Sequence, residues 1–475
     1  MRKSIKKSPK LPPGPRGPKL YNLIKHMSDF SRFLKELREK YGDISYYKMP
    51  VLNYCIVYDL DLIHEVLTAK IPDPDNPDGP PVQAFRKFNP IDYMNPEKKS
   101  LFVECTLGLN GSDDAFYERS LKLMGPGLLD RKFLEAHSAR IIENIQALHA
   151  RWKPGQMIHL WKELRDLQAH CVIRMNLGNA LDAIRPSVVV DAMEGYKQDM
   201  ILCALPGTSL LRKFPLPRSR SSKKSFWELS ALIYKTIEQV RNGSHAPYSM
   251  ASRLIDANTR EEGEGLLSDL EVHDLLVENI TIPIDPTLIA LTKAVGHIAY
   301  YPEVRRRLEE EVDDVLGDRQ IMVEDYDKLS YTRAIMSETL RLGAPAPVLN
   351  RVTRQDYDLG GYSIPKGTMV LSVIDAHNRN PQYWDQPEEF RPERWLKDPQ
   401  PERPPCAYMP FGYDTRQCTG REFAMRVCVY FLASTAQRLR LDTVSPGPLK
   451  ERVSALFLLS MVKAPVPMTV SKRHA

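Results

Sequence analysis

No stretch of this 475-residue chain approaches the roughly 18 consecutive apolar residues of a membrane-spanning helix. The start is basic but lacks the apolar core of a signal peptide. Acidic residues are missing from positions 1 to 19, where Arg2, Lys3, Lys6, Lys7, Lys10, Arg16 and Lys19 stand. The formal net charge is +6, so the tail accounts for all of the excess and the remainder is close to neutral. A near-neutral body lacks the basic folded face that nucleic-acid binding requires, and no nucleic-acid partner is expected. Paired cysteine spacing is also missing. Cys55, Cys105, Cys171, Cys203, Cys406, Cys418 and Cys428 are scattered, with neither a zinc-site nor a disulfide pattern. Their odd number fits a reducing compartment. Internal repeats and low-complexity tracts are absent outside the tail.

What is present is a chain with 43% hydrophobic residues, enough for one large core, without the composition change that would mark a second one. The reading is a basic, Pro-rich tail at residues 1–19 followed by a single domain at 20–475. Periodicity predicts a helix over 31–41, a hairpin from Ile44 to Met49 and Tyr54 to Tyr58, and a helix from Asp59 to Lys70. A Pro-rich stretch from Ile71 to Pro81 leads into irregular chain up to about Gly111. Helices dominate from Ser112 to Val240, interrupted at Pro206-Gly207 and from Pro215 to Ser222, and again from Ser268 to Leu342. Strand and turn signals run from Tyr357 to Leu371, a Pro-rich meander reaches Trp395, and Arg421 to Leu439 is helical. Val453 to Val470 reads as strands. The class is mainly α with a small β region.

Three segments carry chemistry. In Phe411-Gly412-Tyr413-Asp414-Thr415-Arg416-Gln417-Cys418-Thr419-Gly420, a cysteine stands just before an apolar helix, with an arginine two residues ahead of it. A thiolate at a helix N-terminus beside a basic group is suited to hold a haem iron. Glu338-Thr339-Leu340-Arg341 sets an acid and a base three apart in a helical pattern, and Phe390-Arg391-Pro392-Glu393-Arg394-Trp395 follows. Singly, these are a buried thiol, an ion pair worth about 0.2–0.5 kcal/mol and a Pro-containing loop. Together, in this order and spacing, they resemble the cytochrome P450 family over nearly all of the chain.

The resemblance implies the P450 fold, with residues 20–475 as catalytic domain, and heme b (iron protoporphyrin IX) bound through Cys418. Thiolate donation raises electron density at iron, and backbone N–H groups from Gln417 to Gly420 tune the sulfur. Phe411 lies in the cofactor loop, and Arg416 and Arg351 are the implied propionate partners. Matching on Gly125-Pro126 brings Tyr117, Leu121 and Lys122 to a third propionate-facing position, where Tyr117 and Lys122 can bind and Leu121 cannot. Glu338, Arg341 and Arg394 are implied to form a buried charge network. The family's usual glycine is replaced by Asp414, which alters the turn.

The family's central-helix motif Ala-Gly-x-Asp-Thr-Thr falls on Ile282-Pro283-Ile284-Asp285-Pro286-Thr287. Asp285 keeps the acid, but Pro286 replaces the hydroxyl that passes protons toward the iron. Two prolines three apart predict a bend or bulge over the cofactor. Asp285 and Thr287 are the candidate catalytic residues. The expected activity is oxidation of a mostly apolar small molecule by a monooxygenase-type route, with Thr287 shifted by a bulge or a substrate hydroxyl and water relaying protons. The alternatives are a peroxide-using or rearranging enzyme, an Asp285 that anchors a cationic or hydroxylated substrate, and a haem-binding sensor or carrier without turnover.

Electrons would come from a separate donor, a P450 reductase or a ferredoxin, docking where Lys122, Arg421 and Arg426 supply cations. A monomer is expected. Leu11-Pro12-Pro13-Gly14-Pro15-Arg16-Gly17-Pro18 is similar to the hinge after the anchor of microsomal members. The implied location is the cytosolic side, either soluble in the cytoplasm or at the endoplasmic-reticulum membrane with the anchor replaced by the basic leader. The tail suits an anionic membrane surface. Phe85 to Leu109, Leu205 to Phe214 and Leu456 to Leu459 are candidate pocket segments.

Overall fold

Capping residues set the first elements. The computed structural model describes residues 10–50, 52–74, 81–86, 114–128, 130–178, 185–204, 217–243, 248–260, 267–397, 401–444, 451–453, 459–462 and 466–473. Helix α1 (Lys19–Ser28) precedes α2 (Phe30–Tyr41), where the Asp29 side chain accepts the Arg32 N–H and Gly42, at φ 84°, closes the end. Such a cap contributes about 1 kcal/mol. Strands β1 (Ile44–Lys48) and β2 (Asn53–Val57) form the expected hairpin, and Asp59 caps α3 (Leu60–Thr68). Short strands β3 (Lys70–Ile71), β4 (Val82–Gln83) and β5 (Phe85–Arg86) follow.

The helical body begins with α4 (Asp114–Leu128) and α5 (Arg131–Arg151). After β6 (Met157–His159) come α6 (Leu160–Leu177), α7 (Pro186–Ala204), α8 (Pro217–Arg241) and α9 (Met250–Arg260). The expected interruption from Pro215 to Ser222 is shorter than foreseen: Pro217 opens α8. Proline is tolerated in a first turn because its missing N–H would have no helical partner there. Next are α10 (Asp269–Thr281) and α11 (Ile284–Tyr300), then α12 (Pro302–Leu316) and α13 (Ser330–Leu342). Ser268 and Glu271 cap α10 reciprocally, side chain to backbone in both directions.

The β region holds β7 (Val348–Thr353), which lies just before the stretch read as strand, then β8 (Tyr357–Leu359), β9 (Tyr362–Ile364) and β10 (Met369–Val373). A five-stranded sheet runs β1-β2-β10-β7-β5, with β2 and β10 parallel and the other pairs antiparallel. Helix α14 (Asp375–Asn378) leads into the meander, and α15 (Arg421–Arg438) follows the cysteine loop. Strands β11 (Leu439–Thr443), β12 (Glu451–Val453), β13 (Ser460–Val462) and β14 (Pro467–Lys472) close the chain. The main core lies between α5, α6, α10, α11, α13 and α15. Phe423 and every residue of α15 from Val427 to Gln437 are buried, as expected of a helix enclosed on all sides. The run 269–300 is long and apolar enough to cross a membrane by composition, but 67% of its apolar 18-residue window is buried inside the protein.

Candidate functional site

The cysteine loop is shaped by its own backbone. Gly412 takes φ 80° and donates to the Met409 carbonyl, and the Cys418 N–H returns 2.8 Å to the Phe411 carbonyl. Asp414 takes φ 56°, a left-handed conformation that L side chains adopt at a cost. The sequence departs from the family's glycine here, and the turn keeps a geometry that favours glycine. Gln83 donates to the Asp414 carboxylate at 3.4 Å, tying β4 to the loop.

Cys418 is exposed, whereas the other described cysteines, Cys55, Cys171, Cys406 and Cys428, are buried. Protein around the sulfur nonetheless pushes the thiol pKa up, and the Gly420 N–H opposes this by bonding to it. An exposed residue whose sulfur is desolvated opens onto a recess rather than onto bulk water. A thiol in that setting is a poor nucleophile by itself, but a bound metal cation deprotonates it outright.

Cations gather beside it. The Arg416 guanidinium lies 3.5 Å from the centre of the Tyr117 ring, a cation–π contact, while the Tyr117 hydroxyl donates to the Thr415 carbonyl at 2.6 Å. That hydroxyl has therefore already given its proton and can serve a further partner only as acceptor. Burial raises the Tyr117 pKa, the fields of Arg416 and Arg351 lower it, and Cys418 raises it. Tyr117, Arg416, Arg351 and Cys418 thus share one neighbourhood, assembled from α4, β7 and the loop. Arg351 is 5% exposed and gives one N–H to the Asn350 carbonyl at 2.8 Å. Lys122, further along α4, is exposed. Phe411 is half-buried, with the Arg421 guanidinium 5.8 Å from its ring. An accessible thiol with two guanidinium groups at hand fits a metal macrocycle carrying two carboxylates.

The Glu338 network is complete. Its carboxylate, fully buried, accepts from Arg341 at 2.9 and 2.8 Å and from Arg394 at 2.9 Å. The Arg391 N–H and the Trp395 indole also donate, each at 2.9 Å. Arg341 spends its remaining N–H groups on the carbonyls of Asn378, Pro387 and Glu389. Burial pushes the Glu338 pKa up, but the Arg341 bonds and the surrounding charges outweigh it and hold the carboxyl below its usual value.

The central helix breaks between α10 and α11, at Ile282 and Pro283. Because α11 restarts at Ile284, Pro286 occupies its first turn, where an N–H has no helical partner. One break therefore accommodates both prolines. Asp285 and Thr287 are 6% and 5% exposed, and Ile282 is 41% exposed within an otherwise apolar, buried run. The break lies before Asp285, and the turn that carries Thr287 is regular helix.

Some residues were not legible in sequence. Lys293, 2% exposed in α11, donates to the Gly343 carbonyl at 2.8 Å and to the Ser460 hydroxyl at 3.0 Å. A lone lysine inside an apolar helical run was its only signal. Ser230, His273 and Asp274 form a bonded string at 2.8 and 2.9 Å, but all three are buried, so the string joins α8 to α10 rather than serving a substrate. Of the pocket segments, Phe85, Arg86 and the half-buried Leu459 are described; residues 87–109, 205–214 and 456–458 lie outside the described residues.

Comparison with known proteins bears on this arrangement directly. The family model described as Cytochrome P450 matches residues 158–468. Cyclooctat-9-en-7-ol 5-monooxygenase of Streptomyces melanosporofaciens is 27% identical over 74% of this chain and 75% of its own length. Cyclooctatin synthase of the same organism is 28% identical over 77% and 79%. Pentalenene oxygenase of Streptomyces avermitilis is 27% identical over 70% and 77%.

Proposed function

The chain belongs to the cytochrome P450 family, and from that premise we propose that Cys418 ligates a haem iron whose carboxylates are taken by Arg416 and Arg351. The protein is a monooxygenase-type oxidoreductase. The observation that carries the site is the exposed Cys418 thiol with Arg416, Arg351 and Tyr117 gathered beside it. Haem b is the proposed form, since no Cys-x-x-Cys-His attachment motif occurs in the sequence. When bound, haem supplies the iron at which dioxygen is reduced, one oxygen atom entering a substrate C–H bond and the other leaving as water with two protons and two electrons.

The chain's residues divide the remaining work. Arg416 is held flat on Tyr117, and Tyr117 is fixed by the Thr415 carbonyl, so one cation is oriented in advance. Lys122, exposed on α4, adds positive charge, and Phe411 covers the loop. Asp285 places a carboxyl group in the first turn of α11. Because Pro286 has no hydroxyl, a water or a substrate hydroxyl relays protons past it, and Thr287 supports the turn. A peroxide-driven route is the second reading, favoured by Pro286 alone.

The substrate is proposed to be an alicyclic terpene or its alcohol, by analogy with the relatives named for cyclooctat-9-en-7-ol and pentalenene. Ile282 supplies apolar contact. Electrons come from a separate donor, reductase or ferredoxin, meeting a monomer with residues 20–475 as one catalytic domain. The cytosolic side is the proposed location, in the cytoplasm or against the endoplasmic reticulum. Leu20, Tyr21 and Ile24 are 62%, 53% and 60% exposed on α1, with Lys19 and Lys25 beside them, a face suited to an anionic lipid surface.

The test begins with the reduced carbon-monoxide difference spectrum. We expect a thiolate-haem band that Cys418→Ala abolishes; a band unchanged in that variant overturns the assignment. Pentalenene turnover with reductase and NADPH, set against hydrogen peroxide alone, then separates the two routes.

A further inference from the structure

We infer that Asn176 and Gln168 are positioning residues for the break in the central helix, the Asn176 amide standing in for the backbone N–H that Pro283 lacks and the Gln168 amide bonding the carbonyl of Pro283 itself. In an unbroken helix the N–H of residue 283 would bond to the carbonyl of Asn279. Proline has no such donor. The Asn176 amide supplies it instead, reaching the Asn279 carbonyl at 3.2 Å from α6, 103 residues away in sequence. Its other N–H goes to the Val172 carbonyl at 2.8 Å, which fixes the side chain on its own helix. Gln168, two turns earlier on α6, donates to the Pro283 carbonyl at 3.4 Å.

Both side chains are sealed from solvent, Asn176 at 0% and Gln168 at 2% exposure. Their amide oxygens find no donor among the described residues. Each amide therefore acts at this interface as a donor, and each donor is aimed at a carbonyl flanking the break. A buried carbonyl stripped of its donor is costly. The two contacts therefore favour this one geometry of the break over a straightened or differently bent helix. Asp285 begins two residues after Pro283, so the direction in which α11 restarts fixes where that carboxylate stands.

This rests on the proposed proton-handling role of Asp285, and it is tested by a double-mutant cycle on the haem-loaded protein. Asn176→Leu is made in the native background and in Pro283→Ala, whose restored N–H can bond to Asn279 by itself. Asn176→Ala, smaller and without a donor, is the second variant in case leucine disturbs folding. Two quantities are read: the melting temperature, and the fraction of NADPH electrons released as hydrogen peroxide with P450 reductase as donor, followed against pH.

In the native background we expect a melting temperature lower by about 2 °C and a peroxide fraction raised by about threefold with a displaced pH profile. In the Pro283→Ala background the same substitution should change neither. Equal effects in both backgrounds overturn the inference, as does an unchanged peroxide profile in both. Asp285→Asn serves as control: if it leaves the peroxide profile unaltered, the role of Asp285 fails, while the melting cycle still reports on the brace.

Discussion

Replacing Glu338 by alanine should prevent stable haem loading rather than merely slow turnover. The carboxylate accepts five hydrogen bonds, three from guanidinium groups, one from a backbone N–H and one from an indole. All of its side chain is buried, and Arg341 and Arg394 are 0% and 7% exposed. Alanine leaves two cations in a dry interior with only carbonyl oxygens for partners. Breaking a buried pair in this way costs about 3–5 kcal/mol, against total stabilities of about 5–15 kcal/mol for folded domains. With an unfolding entropy of about 1 kcal/mol/K for a chain this long, the expected loss is about 3–5 °C in melting temperature.

The network also predicts a pH signature. The folded pKa of Glu338 lies below its ordinary value of 4.5. Its stabilisation is therefore complete above that value and is lost as pH falls through the depressed folded pKa. Glu338→Ala should flatten that acid limb. The assays are haem content by carbon-monoxide difference spectrum and melting temperature from pH 7 downward. A variant with normal haem content, native melting temperature and an unchanged acid limb would refute the argument.

Two further predictions follow from buried or strained groups. Burial holds His137 and His149 down to about 4 from 6.5, so the unfolded chain takes up protons first and stability should fall as pH drops from 6.5 toward 4. His149→Gln should reduce that slope by up to about 1.4 kcal/mol per pH unit, read by urea unfolding at several pH values. Asp414→Gly removes a left-handed strain and should stabilise the loop by up to about 1 kcal/mol, seen as a higher melting temperature with the haem spectrum retained.

What could be read in the sequence was what a short segment states by itself. Cys418 with Arg416, the Glu338–Arg341 spacing and the two central prolines are local patterns; the described geometry pairs Glu338 with Arg341 as expected and sets Arg416 and Cys418 in the surroundings of Tyr117. Helix α1 escaped notice because its exposed face, Leu20, Tyr21 and Ile24, carries as much apolar character as its buried one. Strand β7 was missed because Pro345 and Pro347 precede it and Asn350 interrupts its alternation. Lys293, Gln168 and Asn176 act across 50 to 167 residues of sequence. Long-range pairing of this sort is a property of topology, which no window of neighbouring residues contains.

The same distinction makes Pro286 and Pro283 unequal, although in sequence they look like two equal helix breakers. Pro283 deprives the Asn279 carbonyl of a donor and requires a brace from α6. Pro286 stands at the third position of α11, where its missing N–H costs no helical bond. Pro286→Thr should therefore be nearly silent in stability, with a melting temperature within about 1 °C of native, and should restore a hydroxyl one residue from Asp285. If protons limit the reaction, product formed per NADPH consumed rises in that variant while peroxide-driven turnover does not. A large drop in melting temperature would show that the first-turn placement is wrong. An unchanged product yield per NADPH, with the fold intact, would show that the missing hydroxyl does not limit this enzyme.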